Sequence, residues 1–277
     1  PLGLDLAPTD ARTLAGRTGG NPFFAIELAR LARDRGSDVA RAGVPGSVRV
    51  ALDHRLLTLP PATRAVLAVA AVVGEEFRTD LVGAAGQRAD VEEALALAER
   101  AGLVRRLGPG RAAFAHGLVR DAVHAAVPAP ERARLHGRVA DALLAAGTAD
   151  PATLAHHLGH ATDRADEAVA QHRAAARAAS AVLAHADAAR HLAAAVDLLD
   201  AAPGAADRGE LLLDLAAARL AAGDGPGARA TYLAAARQAR LDCAADAAEH
   251  LARAALGLGG GPAGFEVPRA DAEQIAL

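Results

Sequence analysis

The segment Leu154-Ala155-His156-His157-Leu158-Gly159-His160 places His156 and His160 at an i,i+4 spacing on one helical face, where two imidazoles could chelate a metal. No glutamate follows His156 as a hydrolytic zinc motif requires, and the spacing names no third ligand, so metal binding is not expected. Ser37, Ser47 and Ser180 are the only serines, and none lies in a Gly-x-Ser-x-Gly elbow. Cys243 sits among alanines with no activating neighbour. Asp and Glu are plentiful, but they scatter over helix faces as solvated charge and nominate no catalytic pair. All 30 basic residues are arginine. Without lysine, Schiff-base chemistry is excluded, and so is an ordinary phosphate-binding loop, whose lysine must reach the β and γ phosphates. The 277 residues by themselves are expected to catalyse nothing.

What remains are residues suited to contact a ligand. The only asparagine, Asn21, lies in Arg17-Thr18-Gly19-Gly20-Asn21-Pro22-Phe23-Phe24-Ala25-Ile26-Glu27-Leu28. Two glycines allow positive φ or close approach of the backbone, and Pro22 presets φ at the entry of a helix whose first amides lack partners. Such a turn can face a bound nucleotide, although the same residues also make an ordinary helix entry. Further along comes Phe114-Ala115-His116-Gly117-Leu118-Val119-Arg120-Asp121-Ala122-Val123, then Pro128-Ala129-Pro130 and a helix holding Leu135-His136.

The elements that must position these groups are mainly helical. Asp10 to about Arg35 reads as two short helices around the glycine turn, followed by a loop through Gly43-Val44-Pro45-Gly46. Val48 to Leu57 has apolar residues at helical spacing, and Leu59-Pro60-Pro61 opens a helix whose Val66, Val69, Ala70 and Val73 share a face and stop at Gly74. A short helix covers Thr79 to Ala85, and Asp90-Val91-Glu92-Glu93 reads as the capping-box start of a third, which ends at Gly102. The period then changes. Leu103 to Leu107 and Arg111 to Phe114 read as strands joined by the turn Gly108-Pro109-Gly110. From Glu131 onward the pattern is helical throughout, with Asp150-Pro151 and Gly225-Pro226 as helix starts. Leu192, Val196 and Leu199 form one buried stripe, and Leu211, Leu212, Leu215 and Ala218 another. Ala188 to Ala195 corresponds to Ala228 to Ala235 at an offset of 40 residues, longer than the roughly 34 of a tetratricopeptide unit. Small alanines at helix crossings suit the close packing of a helix-pair solenoid. Gly257 to Gly264 reads as a flexible loop.

Three helices followed by a hairpin is the order of a winged-helix domain. Taken with the Arg-Thr-Gly-Gly-Asn-Pro-Phe-Phe segment and the Phe-x-His-x-Leu-Val-Arg segment, the chain resembles the signal-transduction ATPases of the STAND type related to large ATP-binding LuxR-type transcriptional regulators. The resemblance implies a helical lid over residues 1–46, a winged-helix domain with one β hairpin over 47–127, and an α-solenoid of tetratricopeptide-like helix pairs over 128–277. It implies that Gly20, Asn21 and Pro22 lie near adenine, with His116 near phosphate and Arg120 as a further contact. The alternative for His116 is a helix-capping histidine at a domain junction. In the intact parent the cofactor would be ATP or ADP, with Mg, and the parent would be an ATPase; the chain alone is expected to hold neither nucleotide tightly. The expected partner is a protein or small-molecule effector on the helical repeats. The expected output is a helix-turn-helix, a nucleotide cyclase or a kinase. A separate class also fits: a helical-repeat interaction scaffold with no nucleotide dependence.

Composition narrows these readings. A net charge of −3 offers no general attraction to nucleic acid or anionic membrane. The third helix carries Glu92, Glu93 and Glu99 against Arg100, so duplex phosphates would repel it despite Arg105, Arg106 and Arg111 on the wing. DNA is therefore expected only through a domain outside this chain. A hydrophobic content of 52%, much of it alanine, is ample for a core. A single cysteine fits a reducing cytoplasm, and no apolar run of about eighteen residues free of charge is present to span a membrane. The absence of methionine, even at position 1, leads us to expect a piece of a longer protein.

Overall fold

The computed structural model describes residues 12–13, 55–147, 149–201, 208–241 and 247–259. Apart from Arg12 and Thr13, the expected lid, with its Gly20, Asn21 and Pro22, lies outside the described residues, as do Cys243 and the part of the Val48–Leu57 helix before Arg55. The fold is mainly helical with a small three-stranded antiparallel sheet. It divides into two compact units, Pro1–Ala146 and Gly147–Leu277.

In the first unit, Pro60 and Pro61 start α1 (Pro61–Val73), since proline is preorganised for the first helical turn and its missing amide costs nothing there. Strand β1 (Glu76–Arg78) leads into α2 (Thr79–Gly86) and α3 (Val91–Arg100). The hairpin is β2 (Val104–Gly108) and β3 (Arg111–Phe114), with Gly108 at φ +137° and Gly110 at φ +67°, backbone that glycine adopts readily. One expectation is extended here. The sheet is a hairpin plus β1, in the order β1-β3-β2, with Phe77 opposite Ala112 and Val104 opposite Phe114. Another is corrected: Asp90 does not cap α3 with its side chain, because its carboxylate accepts instead from Arg88 Nε at 2.8 Å, two residues earlier. The sheet delivers the chain into α4 (Gly117–Ala126) and α5 (Ala129–Ala146). α5, expected to open the helical repeats, packs on α1 and α2 and adds Leu135 and Val139 to the core of this unit. Leu67, Leu95, Leu103, Phe114 and Leu118 are fully buried there, each worth about 1.5–3 kcal/mol of removed apolar surface.

The second unit runs α6 (Pro151–Gly159), α7 (Ala165–Ala181), α8 (His185–Ala201), α9 (Arg208–Ala221), α10 (Gly225–Leu241) and α11 (Ala247–Gly259), each packed on the next. Asp150 caps α6 as its sequence position implies, accepting from Thr153 N at 3.0 Å and Thr153 Oγ1 at 2.7 Å. The 40-residue offset reappears as α8 and α10, which start at His185 and Gly225. Their matched positions share burial. Ala188 and Ala228, Leu192 and Tyr232, and Ala195 and Ala235 are all buried, so the repeat marks one inward face used twice.

The glycine-rich loop expected from Gly257 is corrected over its first three residues. α11 continues through Gly259, and a Cβ on Gly257 would come within 2.2 Å of the Tyr232 ring on α10. Glycine is there for close approach of the ring, not for flexibility. Gly257→Ala, normally helix-stabilising by about 1 kcal/mol, should here destabilise by about 1–3 kcal/mol through overpacking, read as a lower urea midpoint. A raised midpoint would show that α11 does not rest on Tyr232.

Candidate functional site

His116 stands at the N-cap of α4 in extended backbone (φ −150°, ψ 148°), and its carbonyl accepts from Val119 N at 2.9 Å. Its side chain makes no capping bond, so the capping alternative does not account for the imidazole. The ring is half-buried. Desolvation holds its pKa below the ordinary value, Arg105 adds to that effect and Glu75 opposes it. At neutral pH it is therefore an uncharged imidazole, able to donate one hydrogen bond and accept another but carrying no charge for a phosphate.

Arg120, one turn on, is committed within the fold. Its Nε donates to the Ala71 carbonyl at 2.9 Å and Nη1 donates to Asp121 Oδ1 at 3.4 Å, tying α4 to the end of α1. Gly117 is buried and begins a regular helix. The structure thus places His116 and Arg120 on consecutive turns of one element, while Gly20, Asn21 and Pro22 lie outside the described residues. Two of the hairpin arginines pair with acidic residues of the unit itself. Arg106 Nη1 pairs with Glu92 Oε2 at 2.7 Å, and Arg111 Nη2 with Glu76 Oε2 at 3.3 Å. That removes part of the cationic surface that a duplex would need.

No protein-family model, curated protein or solved structure matches the chain.

The second unit carries a groove of about 1020 Å³ bordered by α7, α8 and α9. Its charged wall joins Arg173 of α7 to two carboxylates of α9, with Nη2 at 2.8 Å from Glu210 Oε2 and 3.8 Å from Asp214 Oδ2. Burial, then the neighbouring Glu210, raises the Asp214 pKa, whereas Arg173 lowers that of Glu210. Arg177, on the next turn of α7, also lines the groove, and its charge acts to lower the Asp214 pKa. This arrangement suits recognition of a ligand with both donors and acceptors. Reading the sequence by motif missed the carboxylate pair, although Glu210 and Asp214 at i,i+4 beside an amphipathic stripe was a visible signal.

Among the histidines of α6 and its end, His156 and His160 do come together, with ring centroids 4.7 Å apart. His160 Nδ1 bonds the His156 carbonyl at 2.8 Å, which fixes that ring by local geometry. His157 is buried, with its ring edge-on to that of His156 at a centroid distance of 5.2 Å. Its pKa is pushed down to about 4, chiefly by desolvation and then by His156 and His160.

Proposed function

We propose that the chain is the sensing and partner-binding portion of a nucleotide-regulated signalling ATPase of the STAND type, within a LuxR-type transcriptional regulator. The first unit acts as a winged helix that responds to ATP or ADP. The helical pairs of the second bind a protein or small-molecule effector, for which the groove at Arg173, Glu210 and Asp214 is the candidate seat. One observation carries the reading: a hairpin that ends at Phe114 hands the chain to a helix whose N-cap is a half-buried, uncharged His116. That is a suitable place for an imidazole to hydrogen-bond a nucleotide while the backbone holds it rigid.

Calorimetry on the full-length protein tests it. His116→Ala is expected to weaken ADP binding about ten-fold, the value of one hydrogen bond to a charged group, and Asn21→Ala about five-fold, the value of one to a neutral base. ADP affinity unchanged by both substitutions would remove the sensor. A second reading, a nucleotide-independent interaction scaffold, is favoured by Arg120, whose guanidinium is spent on Ala71 and Asp121 and is not turned to a ligand.

A further inference from the structure

An open cleft of about 740 Å³ in the first unit has no part in the nucleotide reading. It lies where α1, the end of α2, the α4–α5 turn and α5 meet, and its walls include Val69, Val123, Val127 and Leu135. Leu57, 73% exposed, stands among its lining residues. The volume is that of a site for a small organic ligand, and the walls are of the apolar kind such sites use.

The charges around it are unequal: Arg64, Arg88 and Arg138 against Glu131. Two of the three guanidiniums are already engaged. Arg64 Nη1 donates to the Leu59 carbonyl at 2.9 Å, and Arg88 Nε donates to Asp90 Oδ1 at 2.8 Å. Arg138 is different. Its Nε is shut off from solvent with no hydrogen-bond partner, and its only ion pair among the described residues is a loose one, Nη2 to Glu131 Oε1 at 3.7 Å. Glu131 also shares its charge with Arg134, at 3.7 Å. A carboxylate in the cleft could take the Nη donors of Arg138, whose side chain is 38% exposed and held, among the described residues, only by that loose pair.

We propose that this cleft binds a small amphipathic carboxylate, with its apolar chain against Val69, Val123 and Leu135 and its head group on Arg138. The excess of positive charge selects an acid over a neutral or cationic amphiphile of the same length. A segment of this or another polypeptide lying in the cleft is the competing occupant, and the choice of ligand separates them.

The test is calorimetry of the complete chain at neutral pH with decanoate below its micelle concentration, beside decanol and decyltrimethylammonium. Decanoate is expected to bind once per chain and at least about ten-fold more tightly than decanol, the worth of one charge-assisted fork. Arg138→Gln, checked for native helicity by circular dichroism, should erase that preference while leaving weak decanol binding. Ala68→Leu, which fills the cleft from α1, should weaken both ligands with Arg138 intact. Equal affinity for decanoate and decanol, undiminished preference in Arg138→Gln, or no decanoate binding by folded protein would each overturn the proposal. The ADP measurement above is unaffected by any of these outcomes, so the two readings fail separately.

Discussion

Phe114→Ala is expected to destabilise the first unit by about 3–5 kcal/mol, a large fraction of a domain's usual stability, because the ring is fully buried and its removal leaves a cavity. Phe114 is more than a core residue. Its ring lies against that of Phe77, with centroids 5.6 Å apart, and its amide donates to the Glu75 carbonyl at 2.9 Å. It therefore joins β3 to β1 by side chain and backbone together, two residues before His116. Urea unfolding followed by far-ultraviolet circular dichroism would measure the loss. A change below about 1 kcal/mol would mean that the sheet is not part of the cooperative core.

Acid should destabilise the second unit. His157 and His172 both have pKa values pushed down to about 4, in each case mainly by desolvation. His172 Nδ1 faces His191 Nδ1 at 3.2 Å across α7 and α8, an arrangement that works only if one ring donates and the other accepts. Protonating both would set two cations with ring centroids 5.4 Å apart. In the unfolded chain each imidazole has its ordinary pKa, so between about pH 6.5 and 4 the unfolded state binds more protons than the folded one. Stability is then constant above that window and falls as the pH drops through it. A shift of this size corresponds to about 3 kcal/mol for a fully buried ring, and partial solvation of these sites brings the expected loss to about 1–2 kcal/mol each. Melting temperatures at pH 7 and pH 4 would reveal it. The double substitution His157→Gln and His172→Gln should flatten the profile, and an unflattened profile would place the acid sensitivity elsewhere.

Much of the scaffold was legible because its signals act over a few residues. Pro60-Pro61, Asp150-Pro151 and Gly225-Pro226 mark helix starts by dihedral constraint and capping, and each opens a helix in the structure. The Gly108-Pro109-Gly110 turn located the hairpin, and the stripes of Leu192, Val196 and Leu199 and of Leu211, Leu212 and Leu215 are buried as their spacing implied. The Asp90 capping box was a local signal that a neighbour defeated, since Arg88 captures the carboxylate.

Strand β1 is three residues long, too short to show a period, and it exists only by pairing with β3 far along the chain. The same holds for the features that bear on function. Gly257 resembles a loop residue until Tyr232 of α10 is seen beside it. Glu210 and Asp214 become a site wall only when α7 brings Arg173 over them. Arg138 is one more helical arginine until four elements enclose a cleft around it. The sequence by itself determined where helices and turns fall and what chemistry is ruled out, because dihedral preferences, capping and absent side chains are properties of neighbouring residues. Tertiary structure alone decided which distant groups meet, because burial and charge pairing depend on packing between elements that no short window of sequence contains.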